Sequence, residues 1–330
     1  MSKLLDGIEF PEDLKKLAID DLPKLASEIR EFIIDVVSKN PGHLASNLGV
    51  VELTIALHYC FDFKRDRIVW DVGHQAYVHK ILTGRKSRFP TLRQYKGLSG
   101  FPCKTESIYD PFTSGHSGSA ISSAMGISCA DEILGFKRSL VAVVGDGAIG
   151  AGMSLEALNH AGDLKKNLLV VLNDNEMSIS NTVGAFSKYL TKIRTLPLFT
   201  ALKKDFHHLL SILPVFGKSV EKTVDHVVEM IKRGTAPGQI FEDLGLSYFG
   251  PIDGHDFRAL TGTLNDIKNL TGPVLLHVIT EKGRGFEPAF KNPTQFHSSG
   301  KFEMCNGKMQ PPASGPKKTS YTKVFGDTLV

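Results

Sequence analysis

The sequence predicts an α/β protein whose doubly wound, mostly parallel sheet lies between two layers of helices. Two apolar runs rich in β-branched residues, 140–144 and 168–172, have the composition of parallel strands that are buried on both faces. Between them, apolar residues recur at helical spacing over 153–164, and two lysines follow at the expected end of that helix. Strand, helix and strand in this order form a β-α-β unit, and such units have a right-handed crossover in nearly all proteins.

Further elements continue this pattern along the chain. An amphipathic helix is expected from about 11 to 38, and a second, mostly buried helix over 50–59. Residues 67–71 form a predicted short strand, and 117–134 form a helix of small residues suited to close packing under the sheet. Another strand is predicted over 273–279. Alternating strands and helices of this kind are typical of three-layer α/β folds.

The chain divides into one large predicted domain and the start of another. Residues 1–302 form the α/β domain. Within it, residues 184–238 break the rhythm of strands and helices, and we interpret them as a covering insertion with a helix over 220–231. Residues 303–318 are polar and rich in proline, as in a linker. Residues 319–330 then begin a second domain.

Composition indicates a globular protein and argues against several classes of partner. Of the 330 residues, 42% are hydrophobic and 22% are charged, which is ordinary for a globular chain. The net charge of +4 is small for this length, so neither nucleic acid nor an anionic membrane is an expected partner. No apolar run approaches the roughly twenty residues of a membrane span, and the amino terminus resembles no signal peptide. Because the four cysteines lack metal-like spacing, we expect reduced thiols and a cytoplasmic location.

Polar triplets follow the two central strands at the point where each strand ends. Gly145-Asp146-Gly147 follows the first apolar run, and Asn173-Asp174-Asn175 follows the second. Neighbouring parallel strands end at the same edge of a sheet, where doubly wound folds bind ligands, so Asp146 and Asn175 should lie close together. A carboxylate, an amide oxygen and a backbone carbonyl such as that of Met177 suit Mg²⁺, and the glycines let a phosphate approach the backbone. Either triplet alone is compatible with an ordinary polar turn, but the pair in a β-α-β context favours a metal site.

Further motifs lie at predicted strand exits or helix starts. They are Gly42-His43-Leu44-Ala45-Ser46, Asp71-Val72-Gly73-His74-Gln75-Ala76-Tyr77, Gly115-His116-Ser117 and Gly283-Arg284-Gly285-Phe286-Glu287-Pro288. Together with the two polar triplets, these motifs resemble the 1-deoxy-D-xylulose-5-phosphate synthases, a family of thiamine-diphosphate enzymes. The resemblance runs through the whole chain, and it implies the diphosphate-binding module of the thiamine-diphosphate-binding fold.

The resemblance implies thiamine diphosphate and Mg²⁺ as cofactors that share one site. The implied metal ligands are Asp146, Asn175 and Met177. The implied contacts to the organic cofactor are His74, Gly115, His116, Ser117, Gly147, Ala148, Asn175 and Phe286. The histidines implied to bond the substrate and shuttle protons are His43, His74, His116 and His297.

Two residues near these motifs have alternative interpretations. Phe286 stands where many relatives carry tyrosine, and a core aromatic is the alternative to a cofactor contact. His255 is interpreted as structural, because Asp256 beside it has the character of an N-cap for the following helix.

The implied reaction joins pyruvate and glyceraldehyde 3-phosphate, with loss of carbon dioxide, to give 1-deoxy-D-xylulose 5-phosphate. That product is a precursor of isoprenoids, thiamine and pyridoxal. In this family a glutamate from the next domain protonates the pyrimidine ring of the cofactor, and no residue up to Val330 matches it. We therefore expect one half of the enzyme, inactive alone, which forms a homodimer or associates with a second-half polypeptide. A split transketolase subunit and a non-catalytic regulatory module that binds magnesium diphosphate are the alternatives.

Overall fold

Five parallel strands form one sheet in the part of the chain that the structure describes. This structure is a computed structural model, and it describes residues 3–177, 183–194, 238–309, 319 and 321–329. The strands stand in the order β1-β2-β3-β5-β4. Their bounds are Arg67–Trp70 (β1), Leu140–Gly145 (β2), Leu168–Asp174 (β3), Ser247–Asp253 (β4) and Pro273–Ile279 (β5).

Helices connect and cover these strands. The helices of the described residues are Pro11–Leu14 (α1), Leu22–Lys39 (α2), Ala45–Gly49 (α3), Val51–Cys60 (α4), Tyr77–Lys80 (α5), Ala120–Leu134 (α6), Asp146–Ile149 (α7), Gly152–Leu164 (α8), Ala185–Arg194 (α9), Gln239–Asp243 (α10), Phe257–Ile267 (α11), Glu287–Lys291 (α12) and Tyr321–Leu329 (α13). None of these described helices combines the length and the apolar character needed to cross a membrane.

Both faces of the sheet are buried, which confirms the predicted three-layer α/β fold. Alternate residues of a strand point to opposite faces. Thus Ala142 and Val144 of β2 pack in a core with α6 and α8, whereas Val141 and Val143 pack in a second core with α4 and α11. Burying each such aliphatic side chain stabilises the fold by about 1.5–3 kcal/mol, so the apolar residues 140–144 of β2 and 168–172 of β3 keep the layers together.

The edge strand β4 is absent from the sequence prediction. Its sequence includes Gly250 and Pro251, residues that weaken or interrupt a central strand. Proline is tolerated at an edge, where one side of the strand needs no ladder hydrogen bonds, and the pairing of β4 with β5 is irregular between Phe249 and Ile252. The low strand propensity of glycine and proline therefore explains why the sequence did not predict β4, which is stabilised by its pairing with β5.

The predicted continuous helix over 11–38 is wrong in its first part. The structure has the short helix α1, a 3₁₀ turn at Ile19–Asp21, and only then α2. Pro23 in the first turn of α2 is consistent with a helix start there, because the N–H that proline lacks has no partner in the first turn of a helix.

The predicted cap at Asp256 is confirmed. Its side chain accepts hydrogen bonds from the backbone N–H groups of Arg258 and Ala259 at the start of α11. Such a cap contributes about 1 kcal/mol to helix stability.

The predicted insertion and linker are only partly within the described residues. Of the insertion, Ala185–Arg194 is helical, and the predicted helix over 220–231 lies outside the described residues. The first part of the predicted linker turns back on itself, since Phe302 and Met309 form an antiparallel bridge. Residues 310–318 lie outside the described residues. The boundaries of the domain, the linker and the second domain thus stay predictions.

Candidate active site at the carboxyl edge of the sheet

The two polar triplets meet at the carboxyl edge of the sheet. In the register of β2 and β3, Gly145 is paired with Asn173. Asp146 follows at once as the first residue of α7, and it is buried, while Asn175 follows β3 and is half-buried. The parallel pairing brings both strand exits to one place, as the apolar runs predicted.

Asn173 and Asp174 hold the framework of this edge. The side-chain amide of Asn173 donates to Gln75 Oε1 at 3.0 Å, and its oxygen accepts from the hydroxyl of Thr280 at 2.6 Å. The carboxylate of Asp174 lies 2.9 Å from Nε2 of the buried His277 and 3.1 Å from Nη1 of Arg194. The side chains of Asn173 and Asp174 therefore make their bonds within the protein. Asn175, the last residue of the triplet, follows the strand and is the candidate metal ligand of the three.

Asp146 lies in surroundings that disfavour its charged form. Burial, then the negative charge of Asp174, raise the pKa of Asp146 to about 6, although the N–H of Gly147 and the cations Arg194 and Lys282 act in the opposite direction. A divalent cation at this position would offset that burial penalty. The surroundings of Asp146 therefore fit a metal ligand.

The other predicted metal ligands at this edge are oxygen atoms of neutral groups. Asn175 Oδ1 accepts a hydrogen bond from the N–H of Met177 at 3.1 Å, so the chain turns tightly just after β3. Among the described residues, no group of three or more histidine, cysteine or acidic side chains is placed to hold a metal. A site of one carboxylate, one amide and a carbonyl suits Mg²⁺, which takes its remaining ligands from phosphate and water. A Cβ added at Gly145 would meet no atom within 4 Å, so a phosphate has room to approach.

Three of the four predicted histidines form a cluster. The ring centroids of His43 and His74 are 5.6 Å apart, those of His43 and His297 also 5.6 Å, and those of His74 and His297 5.2 Å. These residues lie on three different segments, so the tertiary structure brings them together. Among the described residues, the buried Nδ1 atoms of His43 and His74 have no hydrogen-bond partner, as expected where a ligand supplies one.

Each histidine of this cluster is neutral at pH 7. Burial lowers the pKa of His43 to about 4, helped by repulsion that a proton on His297 would exert and by the charges of Arg93 and Lys282. Burial lowers the pKa of His74 to about 3, helped by repulsion from protons on His43 or His297 and by the charge of Lys282. Burial and Lys282 lower the pKa of His297 to about 4. A neutral imidazole can accept a hydrogen bond as well as donate one, so these rings suit a ligand with polar groups.

His116 occupies a different environment from the other three histidines. It is exposed, as are its neighbours Gly115 and Ser117. Its carbonyl accepts from the N–H of Val72 at 3.3 Å, which places this loop beside the exit of β1. The predicted roles of these three residues in binding the cofactor stay predictions.

Gly147, Ala148 and Phe286 also lie in the predicted region. Gly147 is exposed and Ala148 is buried in α7, next to Asp146. The half-buried ring of Phe286 packs against Phe296 and Phe302, with centroids 5.8 and 5.7 Å away. Those contacts give Phe286 a place at the margin of the core, and its contact with a cofactor stays a prediction.

Lys282 is a residue of this site that the sequence analysis missed. It is buried, and its Nζ lies 3.1 Å from Nδ1 of His297. Burial lowers the pKa of Lys282 to about 8, although Asp146 opposes the shift. At pH 7 the protonated, charged form of Lys282 therefore predominates. A lysine immediately before Gly283, at the exit of the predicted strand over 273–279, was the available signal.

Asn47 is a second residue that the analysis missed. Its buried amide donates to the carbonyls of both His43 and His74 at 2.7 Å, and its oxygen accepts from the N–H of Tyr77 at 2.8 Å. The hydroxyl of Tyr77 in turn accepts from the N–H of His43 at 3.1 Å. Asn47 and Tyr77 therefore join the two loops that carry the first two histidines of the cluster.

His79, which follows the loop of His74, belongs to a separate buried network. Nδ1 of His79 lies 3.0 Å from Nε2 of His58, and its Nε2 lies 2.8 Å from Oδ1 of Asp110. Arg85 donates to both oxygens of Asp110, at 2.6 and 3.0 Å. Lys80 of the same segment pairs with Glu106 at 2.5 Å. This network fastens the segment before Gly115 to α5.

A large cavity among the described residues lies elsewhere. It has about 670 Å³ and includes Leu140, Leu168 and Val274, which lie at or near the amino ends of their strands. Lysines such as Lys137 and Lys165 lie here beside the carboxyl ends of α6 and α8, where positive charge complements the helix dipole. This cavity is thus at the edge of the sheet opposite to the candidate active site.

Comparison with known proteins gives the family and the fold. The family model described as 1-deoxy-D-xylulose-5-phosphate synthase matches residues 5–280. The 1-deoxy-D-xylulose-5-phosphate synthase of Caldanaerobacter subterraneus subsp. tengcongensis is 51% identical over 326 residues, which are 99% of this chain and 52% of that protein. The 1-deoxy-D-xylulose-5-phosphate synthase 1 of Geobacter sulfurreducens is 52% identical over 329 residues, which are 100% of this chain and 51% of that protein. The chain thus spans about half the length of the curated relatives it matches.

Solved structures of transketolases share the fold. The transketolase of Campylobacter jejuni has a TM-score of 0.62 and 20% identity, over 86% of this chain and 41% of that one. The transketolase of Leishmania mexicana has a TM-score of 0.58 and 20% identity, over 80% of this chain and 37% of that one. A family model that matches most of the chain, and relatives about half identical over nearly all of it, show that this chain belongs to the 1-deoxy-D-xylulose-5-phosphate synthase family.

Proposed function

We propose that this chain provides the diphosphate- and metal-binding part of a 1-deoxy-D-xylulose-5-phosphate synthase. The observation that carries the proposal is the buried Asp146 at the common exit of β2 and β3, in a chain of this family. The whole enzyme would be a transferase that joins pyruvate to glyceraldehyde 3-phosphate with loss of carbon dioxide. When bound, thiamine diphosphate would supply a nucleophilic carbon and a positively charged ring that acts as an electron sink.

The edge of the sheet would hold the diphosphate end of the cofactor. Asp146, Asn175 and the carbonyl of Met177 would bind Mg²⁺, with phosphate oxygens completing its ligands. Gly147 and Ala148 would lie against the diphosphate at the start of α7. Gly115, Ser117 and Phe286 would contact the rest of the cofactor.

The histidine cluster would bind and orient the reacting groups. His43, His74 and His297 are neutral at pH 7, because their pKa values are about 4, 3 and 4. They would therefore donate or accept hydrogen bonds at substrate oxygens without adding charge. Lys282 beside them would contribute the positive charge that a phosphate or carboxylate group needs. His116, which is exposed in this chain, would complete the set.

Activity would require groups from outside this chain. Relatives have about twice its length, and we propose that a polypeptide corresponding to their remaining half supplies the other catalytic groups. Association with that polypeptide, or of two copies, would assemble the active site. Because the relatives that are about half identical are synthases, whereas the similar transketolases are 20% identical, the synthase is favoured over a split transketolase.

Cofactor binding tests the first part of the proposal. Trp70 is the single tryptophan of the chain, and its fluorescence, with calorimetry, can report titration with thiamine diphosphate in the presence and absence of Mg²⁺. We expect Mg²⁺-dependent binding that D146N weakens by about 100-fold or more. D163N is the matched control, because Asp163 is exposed on the neighbouring helix α8. Absence of Mg²⁺-dependent binding by the native chain, or equal binding by D146N, would refute the assignment of the site.

Complementation tests the second part. Pyruvate and glyceraldehyde 3-phosphate are supplied to the chain alone and to the chain mixed with a polypeptide that corresponds to the remaining half of a relative. We expect product only from the mixture. Turnover by the chain alone at ordinary enzymatic rates, about 1–10³ s⁻¹, would show that the outside groups are unnecessary.

A further inference from the structure

The loop between β5 and α12 carries Lys282 and ends at Phe286. Its first residue, Thr280, donates its N–H to the carbonyl of Asp174 at 3.0 Å. Gly283 donates its N–H to the carbonyl of Ala45 at 2.9 Å, next to the loop of His43. The loop thus runs from the candidate metal site towards the histidine cluster, and its position decides where Lys282 lies.

A third hydrogen bond holds this loop at Glu281, between Thr280 and Gly283. The backbone N–H of Glu281 donates to Nε2 of His255 at 2.8 Å. A backbone N–H can only donate, so Nε2 of His255 must be the unprotonated nitrogen of the ring. The proton of the neutral imidazole is therefore on Nδ1, which lies 3.0 Å from Oε2 of Glu52 and donates to it.

Glu52 is held in turn by Arg30. The guanidinium of Arg30 bonds both oxygens of Glu52, at 2.7 and 2.5 Å, and also donates to the carbonyl of Leu48 at 3.2 and 3.1 Å. Both side chains are about nine-tenths buried. Burial alone would raise the pKa of Glu52, but hydrogen bonds from His255 and Arg30 lower it to about 2. Glu52 is thus an ionised acceptor for His255 at neutral pH.

Arg30 also shapes the far end of the loop. Gly285 has a φ of +79°, and a Cβ added there would lie 2.7 Å from Cδ of Arg30. The loop therefore packs directly on the side chain that orients Glu52. The three residues Arg30, Glu52 and His255 come from α2, α4 and the segment before α11. Arg30 and His255 contact the loop of Lys282. Glu52 links these two side chains.

We propose that His255 is a positioning residue: Arg30 and Glu52 hold its ring with the proton on Nδ1, so that Nε2 anchors the loop that carries Lys282. The anchor keeps Nζ of Lys282 at 3.1 Å from His297. This proposal rests on the proposed function only for its effect on cofactor binding, since the anchor itself is a property of the chain.

Two substitutions separate the two ring nitrogens. In H255N the side-chain amide can reach Glu52, as Nδ1 does, but cannot reach Glu281. In H255Q the longer side chain can present its oxygen to the N–H of Glu281, as Nε2 does, while Glu52 keeps its bonds to Arg30. R258A is the matched control, because Arg258 is three residues away and its exposed side chain pairs with the exposed Asp20.

Amide hydrogen exchange and cofactor affinity are the two measurements. We expect the exchange rate at Glu281 to rise about tenfold in H255N and to stay within about threefold of the native rate in H255Q and R258A. Affinity for Mg²⁺ and thiamine diphosphate should follow the same order. Equal behaviour of H255N and H255Q, or unchanged exchange in H255N, would overturn the proposal. If the native chain binds no cofactor, the proposed function fails, and the exchange rates still decide whether the anchor exists.

A measurement on the native chain covers the case in which a variant does not fold. Long-range ¹H–¹⁵N correlation spectra of histidine-labelled protein distinguish the two neutral tautomers. We expect the proton of His255 on Nδ1 at pH 7. A proton on Nε2 would exclude the bond to Glu281 and would overturn the proposal.

Discussion

Asp110 and Asp146 are both buried aspartates, and their surroundings shift their pKa values in opposite directions. Asp110 accepts hydrogen bonds from His79, Arg85 and the N–H of Cys103, and these lower its pKa well below the ordinary value in spite of burial. Burial and Asp174 raise the pKa of Asp146 to about 6. At Asp110, hydrogen bonds within the protein outweigh burial, whereas at Asp146 burial and a neighbouring carboxylate prevail, which favours an added cation.

His74 and His79 repeat this difference within one short segment. Both ring nitrogens of His79 have partners, namely His58 and Asp110. Nδ1 of His74 is buried and has no hydrogen-bond partner among the described residues. Both nitrogens of the His79 ring are therefore used within the protein, whereas Nδ1 of His74 is left for a ligand.

The largest expected effect is that D110N and D146N change the free energy of unfolding in opposite directions. D110N should destabilise the protein by about 3–5 kcal/mol, because it removes the carboxylate that pairs with both Nη atoms of the buried Arg85 and leaves only Glu106, at 3.7 Å, as an acidic partner. D146N should stabilise the unliganded chain at pH 8 by about 1–3 kcal/mol. A raised carboxyl pKa means that stability is lost as the pH rises through about 6, and the neutral amide removes that loss.

Urea unfolding followed by the fluorescence of Trp70 measures both variants. D20N is the control, because the pair of Asp20 and Arg258 is exposed and contributes about 1 kcal/mol or less. Destabilisation by both D110N and D146N would contradict the distinction between the two regions.

A smaller loss of stability is expected at Asn47, which joins the loops of His43 and His74. N47A removes the amide that bonds the carbonyls of His43 and His74, and leaves those buried groups without it. We expect a loss of about 1–3 kcal/mol in stability and about tenfold in affinity for Mg²⁺ and thiamine diphosphate. N265A is the control, since Asn265 is exposed and its side chain accepts a bond from Lys268, and it should change stability by about 0.5 kcal/mol or less. Unchanged affinity in N47A would show that the amide does not position the histidines.

The smallest effect concerns the dependence of stability on pH. Burial and neighbouring cations lower the pKa of His74 to about 3, so the folded chain holds the neutral ring. Its stabilising contribution is complete above the ordinary histidine pKa of about 6.5 and is lost as the pH falls below that value. Between pH 6 and pH 5, H74N should therefore reduce the slope of unfolding free energy against pH by up to about 1.4 kcal/mol per pH unit.

The control for this measurement is H160N, because His160 is exposed on α8. Urea unfolding at several pH values gives the slopes. An identical slope for H74N and the native chain would mean that His74 is not held neutral by the fold.

Sequence patterns located the framework of the site because their signals are local. The apolar runs of β2 and β3 and the triplets that follow them are contiguous in the chain, and parallel pairing places their exits together. The cap at Asp256 was predictable for the same reason. The resemblance predicts one site for His43, His74, His116 and His297, and the rings of His43, His74 and His297 lie together.

Other features depended on contacts between distant segments. The strand β4 contains glycine and proline and exists through its pairing with β5, so propensity did not reveal it. Lys282 and Asn47 acquire their roles from partners elsewhere in the chain, at His297 and at His43 and His74. His255 shows the same limit, because its sequence neighbours indicate only a helix cap, whereas Glu52 and Glu281 decide which ring nitrogen carries the proton.

The sequence by itself determined the order of strands and helices along most of the chain, the family, and the two polar triplets at the sheet edge. Only the tertiary structure decided in which direction the surroundings shift the pKa of each buried charged group. The physical reason is that apolar periodicity and caps act over one or two helical turns, whereas the pKa of a buried group depends on every charge and dipole packed around it.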